Sequence, residues 1–236
     1  MVSRFFLNVR RLLQIRRRLG LRPMHRVLRR LKARGIKVSA LRALEVFGGK
    51  GEFHTVEYMP AVRSLEAWEI DPACVEELRS NLKGAVIKNV NAFDELQKTN
   101  TRYNLIVIDN PLSNYDSNNL ILTQGGWCEH FDLFPDIFRV AMNPCVMVLN
   151  VVPHINAKIK RQHPWLFNDS QLARRSNFYD TGCPQTISFR TMVSAYKDLA
   201  RKWGFELKWW FVERRSFVYY LVLYFEREKA VFEQAI

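Results

Sequence analysis

The residues with the chemistry and the placement to build one site are Glu45, Gly48, Gly49, Gly51, Glu69, Asn91, Asp109 and His130. The densest group falls in residues 43–51, Ala-Leu-Glu-Val-Phe-Gly-Gly-Lys-Gly. Leu44, Val46 and Phe47 supply the apolar run of a strand covered on both faces, and the glycines form a turn that lets a ligand approach the backbone. A dinucleotide fingerprint would need Gly-x-Gly-x-x-Gly; Gly49-Lys50-Gly51 begins it, but His54 stands where the third glycine belongs. Glu45 sits just before the turn. A carboxylate there repels a pyrophosphate and suits a nucleotide-type ligand with a cationic end.

The other residues recur at the ends of expected strands. Glu69 follows Glu45 by 24 residues and closes the strand 65–70. That is close to the roughly 20-residue interval between a glycine turn and the acid of the next strand in nucleotide-binding sheets. Asp71-Pro72 reads as a helix cap followed by proline at the first helical position, so Asp71 is assigned to capping. Asn91 ends a third strand, 85–90, with Asp94 as a rival that reads better as a helix start. Asp109-Asn110-Pro111-Leu112 follows a fourth strand, 103–108, whose carboxyl end is where open α/β sheets bind ligands. Asp109 would act as a base or orient an acceptor; its bland reading is a turn cap. His130 opens an expected helix, 129–141, and would be a general base, although histidine at a helix start is more often structural.

The elements that must position these groups alternate between strand and helix. The spacing predicts a basic amphipathic helix over 2–19 and a break over 20–23. A second basic helix over 24–33 leads into the first strand. The spacing predicts helices over 52–63, 72–82, 129–141 and 190–203. A long loop is expected over 113–126 and a fifth strand over 145–152. Residues 153–185 then interrupt the alternation with aromatics among basic residues, a lid or acceptor-binding insertion. Residues 205–213 and 217–226, around Arg214-Arg215-Ser216, read as a terminal strand pair. Residues 1–22 are thus expected to be an appended helix and 23–230 the domain.

The chain of 236 residues can bury one full core, and 48% hydrophobic content with 13% aromatics excludes a disordered protein. No apolar run approaches the roughly 20 residues of a spanning helix. The four cysteines form no Cys-x-x-Cys pair. Reduced thiols and a cytoplasmic location, peripheral on a membrane if the first helix docks there, are the expectation, with no metal site. The net charge of +13 is localised: residues 1–42 hold 14 Lys or Arg and no acid, leaving 22 basic against 23 acidic residues elsewhere. The basic segment suits an anionic membrane surface, RNA or an acidic partner, or packing on its own domain with a solvated arginine face. It also has the composition of a mitochondrial presequence, though poor in serine.

The ordered set resembles the class I S-adenosylmethionine (SAM) methyltransferases over about residues 24–226. Glu45 with the glycine turn is similar to motif I, and Ala-Trp-Glu-Ile-Asp-Pro, with Glu69, to motif II. Asn91 stands at the adenine-contacting position, with an amide for the carboxylate, and Asp109-Asn110-Pro111-Leu112 looks like motif IV. The resemblance implies a Rossmann-like α/β open sheet of about seven strands, mostly parallel with a terminal antiparallel hairpin and helices on both faces. It implies SAM as cofactor, with Glu45 near the methionine amino group and Glu69 on the ribose. Asn110 and Leu112 depart from the Pro-aromatic form used on exocyclic amino groups. A small-molecule or glycan acceptor is therefore favoured; an RNA methyltransferase and a non-catalytic scaffold are the alternatives. A polyamine-type aminopropyl transferase shares the fold.

Overall fold

The computed structural model describes residues 22–52, 54–109, 131–162, 169–215 and 217–228. The first expected helix, the 113–126 loop and His130 lie outside these residues. The strands are β1 (Arg42–Glu45), β2 (Ser64–Glu69), β3 (Val86–Asn89), β4 (Tyr103–Ile108), β5 (Ala141–Val151), β6 (Phe205–Arg214) and β7 (Tyr219–Arg227). They form one sheet in the order β3-β2-β1-β4-β5-β7-β6. The first five run parallel, and β7 pairs antiparallel with both β5 and β6. The order reverses between β1 and β4, and the crevice beyond the carboxyl ends of strands at such a switch point is where ligands bind.

Period-two alternation sorts the strand side chains onto two cores. Leu44, Trp68, Ile106, Met147 and Leu223 face one, where α4 (Ala92–Lys98), α5 (Phe134–Ile137) and α8 (Phe189–Arg201) supply Leu96, Phe134 and Tyr196. Ala43, Ala67, Leu105, Val148 and Val222 face the other. There α1 (Pro23–Ala33), α2 (Thr55–Tyr58) and α3 (Pro72–Asn81) supply Val27, Leu31, Tyr58 and Leu78.

Helix α1 is bound into the domain by its arginines. Arg22, Arg26, Arg30 and Arg34 recur every four residues and so share one stripe. Arg22 pairs with Glu57 at 2.6 Å and Arg26 with Glu213 at 2.5 Å. Arg30 donates to the Val212 carbonyl and lies 3.9 Å from the centroid of Phe211, and Arg34 stacks over Phe211 and Trp209.

Two expected helices are shortened. Among the described residues of 52–63 the backbone is α-helical only at α2 and then tightens into a 3₁₀ turn, Met59–Ala61. Pro60 cannot continue the α-helical hydrogen-bond ladder. Over 129–141, α5 covers four residues, Phe138–Val140 is a 3₁₀ turn, and Ala141 already belongs to β5. The apolar face was read correctly, since Phe131, Phe134, Ile137 and Phe138 are all core. Burial on one face does not require an unbroken helix.

The 153–185 stretch carries α6 (Ala157–Gln162) and α7 (Asp169–Tyr179). It leaves and rejoins the body through one neck. Ile155 N–H donates to the Gln185 carbonyl, and Ile187 N–H to that of Pro153, both at 2.8 Å. Arg175 on α7 donates to the carbonyls of Val152 and Pro184, pinning the helix to that neck.

Candidate functional site

Strand register assembles the site. Residues 105, 107 and 109 point to one face, as do 146, 148 and 150. Val107 stands opposite Val148, so Asp109 falls level with Asn150, which in turn pairs with Tyr220. Glu45, opposite Val107 and Ala67, shares that face. Groups up to 111 positions apart therefore form one row of polar side chains across the carboxyl ends of β1, β4 and β5 and the amino end of β7.

His54 joins the two acids of the row. Its Nδ1 lies 2.8 Å from Asp109 Oδ2 and its Nε2 3.3 Å from Glu45 Oε1. The other Glu45 oxygen accepts from Tyr58 at 2.6 Å and from Thr55 at 3.3 Å. Asp109 accepts from Asn150 at 2.6 Å, from Tyr220 at 2.9 Å and from both contacts of Arg215 Nη1, the shorter 2.6 Å. Two carboxylates and two cations balance. Such a cluster is tolerable at depth because each charge is paired, His54 Nδ1 meeting Asp109 as an ion pair without hydrogen-bond alignment.

Burial works against charge on His54, but Asp109 and Glu45 outweigh it and push the imidazole up to about 10. Burial alone would raise Asp109; His54 and Arg215 overturn that and hold its carboxyl well below the usual range. Glu45 is raised by its complete burial, which His54 and the Tyr58 hydroxyl only partly offset. A carboxylate ringed like Asp109 keeps its charge and is a poor proton acceptor. As found, it anchors and orients, and the base role expected of it does not suit this geometry.

The ribose-type acid is placed differently. Glu69 Oε2 accepts Gly49 N–H at 2.6 Å and Oε1 accepts Asp71 N–H at 2.8 Å. It thereby ties the end of β2 to the glycine turn. Burial raises its pKa, with those two N–H groups opposing. Each oxygen still has a lone pair, so two further donors fit. Asn91 caps α4 by accepting Phe93 N–H at 3.0 Å and is half-buried. The glycines divide. Gly49 has φ +51° and carries the N–H that meets Glu69. At Gly48 and Gly51 a Cβ would come within 2.8 Å of Leu78, so these two make room for α3 as well as for the turn.

Glu45, Gly48, Gly49, Gly51 and Glu69 thus meet around the ends of β1 and β2. Asn91 stands one strand further out, and Asp109 joins through His54; His130 lies outside the described residues. The sequence had shown His54 only as a missing glycine. Asn150 was also overlooked, although it is the one polar residue in an otherwise apolar 145–152. Arg215 and Tyr220 gave no signal within a hairpin turn and an apolar run.

No family model matches the sequence, and no curated protein matches it. Solved structures do. Magnesium protoporphyrin IX methyltransferase (ChlM) from Synechocystis PCC 6803, crystallised with S-adenosylhomocysteine, matches at a TM-score of 0.51 and 11% identity over 87% of this chain and 82% of that one. The N-methyltransferase NodS from Bradyrhizobium japonicum WM9, also with S-adenosylhomocysteine, matches at 0.50 and 14% over 90% and 91%. The chain has the class I methyltransferase fold. The methyltransferase fold accounts for the strand order and for the antiparallel β7 inserted between β5 and β6. The identities are too low to carry more than the fold.

Proposed function

We propose that the protein binds SAM across the carboxyl ends of β1 and β2 and transfers its methyl group to a small-molecule or glycan-type acceptor. The observation that carries this is Glu69, fixed by Gly49 N–H at the switch-point side of the sheet with lone pairs to spare for two sugar hydroxyls. Glu45 suits the amino end of such a ligand, being a buried carboxylate that already holds a cation. Asn91 would donate its amide N–H to the base while its oxygen caps α4. When bound, the cofactor supplies an electrophilic sulfonium methyl; the chain's part is to orient the acceptor, exclude water and accept a proton where one leaves. The excursion through α6 and α7 starts at the carboxyl end of β5, on the same edge, and serves in this reading as the lid. Residues 1–21 would dock the enzyme on an anionic surface. Engagement of Arg22, Arg26, Arg30 and Arg34 within the domain leaves the RNA-clamp reading to those first residues.

One observation favours a second reading, a non-catalytic scaffold: His54 stands against Glu45 where the ligand's cation would go. Calorimetry with SAM, followed by labelled-methyl transfer into a cell extract, separates the two. Binding with label in a small-molecule or glycan fraction supports transfer. Binding without label in any fraction supports the scaffold, and absence of binding contradicts the cofactor assignment.

A further inference from the structure

The Glu45–His54–Asp109 bridge places a cation at the point where the proposed cofactor's amino end must go. Resting on that reading, we propose that His54 determines which nucleosides the site accepts: it yields Glu45, and its proton with it, only to a ligand bearing its own cationic tail. An uncharged nucleoside would leave the bridge intact.

Glu45 has no exposed surface, and one oxygen is committed to Tyr58 and Thr55. The remaining oxygen faces His54 Nε2 at 3.3 Å, a long hydrogen bond, while His54 Nδ1 lies 2.8 Å from Asp109 as an ion pair without hydrogen-bond alignment. An ammonium can take that oxygen only if Nε2 withdraws. His54 keeps its ion pair with Asp109 through Nδ1, so the ring is attracted at one end while it is released at the other. It is also the most accessible member of the bridge, its side chain 14% exposed against 0% for Glu45 and 4% for Asp109.

With the ligand's own carboxylate held away from Glu45, the charge balance at the Glu45–Asp109 pair then favours loss of a proton. The groups facing His54 are Glu45 from β1, Asp109 beyond β4, Glu57, Tyr58 and Thr55 from α2, and Tyr220 from β7. Arg215 lies behind Asp109, and Arg22, just before α1, and His25 on α1 lie behind Glu57. Glu57 is already paired with Arg22, and Asp109 with Arg215. A ligand cation on Glu45 would leave three cations around the Glu45–Asp109 pair, with one carboxylate fewer for the imidazole. Loss of the His54 proton to solvent restores neutrality: an N–H bond breaks at Nε2, its electron pair stays on the ring, and no other bond changes. The neutral ring then carries a lone pair at the site's edge.

The sign is fixed by linkage. Free His54 is charged throughout the neutral range, its pKa being about 10. Binding that expels its proton therefore tightens as pH rises, by at most tenfold per pH unit. The window closes at the top where an α-amino group begins losing its own proton, near pH 8. Isothermal titration of the full chain with SAM in buffers of different ionisation enthalpy counts the protons directly. Proton release approaching one per SAM is expected at about pH 7, and none per adenosine. His54→Gln should bind SAM with no proton released and lose the pH dependence. If the wild type binds nothing and His54→Gln binds SAM, the bridge is a block that the ligand fails to open, and the selectivity proposed here is overturned. SAM binding to the wild type with no proton released overturns it too, while leaving the cofactor assignment standing. Binding by neither protein overturns both. The wild-type count stands without the variant should His54→Gln fail to fold.

Discussion

Replacing Glu69 by alanine separates two roles that the geometry gives to one side chain. Its carboxylate accepts Gly49 N–H at 2.6 Å and Asp71 N–H at 2.8 Å, both hydrogen bonds to a charged acceptor. Such bonds contribute about 1.5–3 kcal/mol each, less where water replaces the lost partner. A net destabilisation of about 2–4 kcal/mol follows, which for a domain of this size lowers Tm by about 5–15 °C. The same substitution removes the acceptor for two ribose hydroxyls, again about 1.5–3 kcal/mol each, so Kd for SAM should rise about 10²- to 10⁴-fold. Thermal melting and calorimetry on the folded variant measure the two effects independently. Asp71→Ala is the control: it removes the cap on Ala73 N–H, costs about 1 kcal/mol and should leave Kd unchanged. A folded Glu69→Ala protein with wild-type affinity refutes the ribose assignment. An unchanged Tm refutes the tie between β2 and the glycine turn.

Three further outcomes are expected. Because the His54 pKa is raised from 6.5 to about 10, its stabilising contribution is complete below about pH 6.5 and is lost as pH rises through about 10. Unfolding free energies from urea melts should fall over that window with a slope of at most about 1.4 kcal/mol per pH unit, and His54→Asn should be flatter; equal slopes refute the bridge. The depressed Asp109 works oppositely, its contribution present above its ordinary pKa and lost in acid. Asp109→Asn leaves two cations short of a carboxylate and should destabilise by about 3–5 kcal/mol in the same assay. A loss below about 1 kcal/mol would show the pairing to be ornamental. Gly51→Ala, with φ +67° and Leu78 and Leu82 within 3.2 Å of the new Cβ, should cost more than Gly48→Ala, which meets a Leu78 methyl at 2.8 Å and the Trp68 carbonyl at 3.3 Å but needs no positive φ. Comparing the two melting temperatures checks the order.

Local chemistry made much of the fold legible. The 103–108 strand has the bounds expected of it, and Asp71-Pro72 caps α3 through Ala73 N–H as the pair suggests. The terminal antiparallel strands follow from two apolar runs around a polar turn. Glu45, the glycines and Glu69 were visible because they lie within a single strand-turn-helix-strand unit. The bridge was not. His54 meets Asp109 across 55 positions, and Arg215 and Tyr220 reach it across 106 and 111. Only the parallel register of β4 and β5 and the antiparallel register of β7 bring those groups level. No local spacing encodes that. The shortened helices failed for a related reason: periodicity reports which side chains are buried, and Phe138 and Val140 are buried from a 3₁₀ turn as well as from a helix.

A crystal structure of the protein grown with S-adenosylhomocysteine tests the central claim most directly. The expected result is the ribose hydroxyls on the Glu69 carboxylate, the amino group against Glu45, and the His54 ring swung so that Nε2 leaves Glu45 while Nδ1 stays on Asp109. A nucleoside bound elsewhere, or a crevice still closed by His54 at saturating ligand, would contradict it.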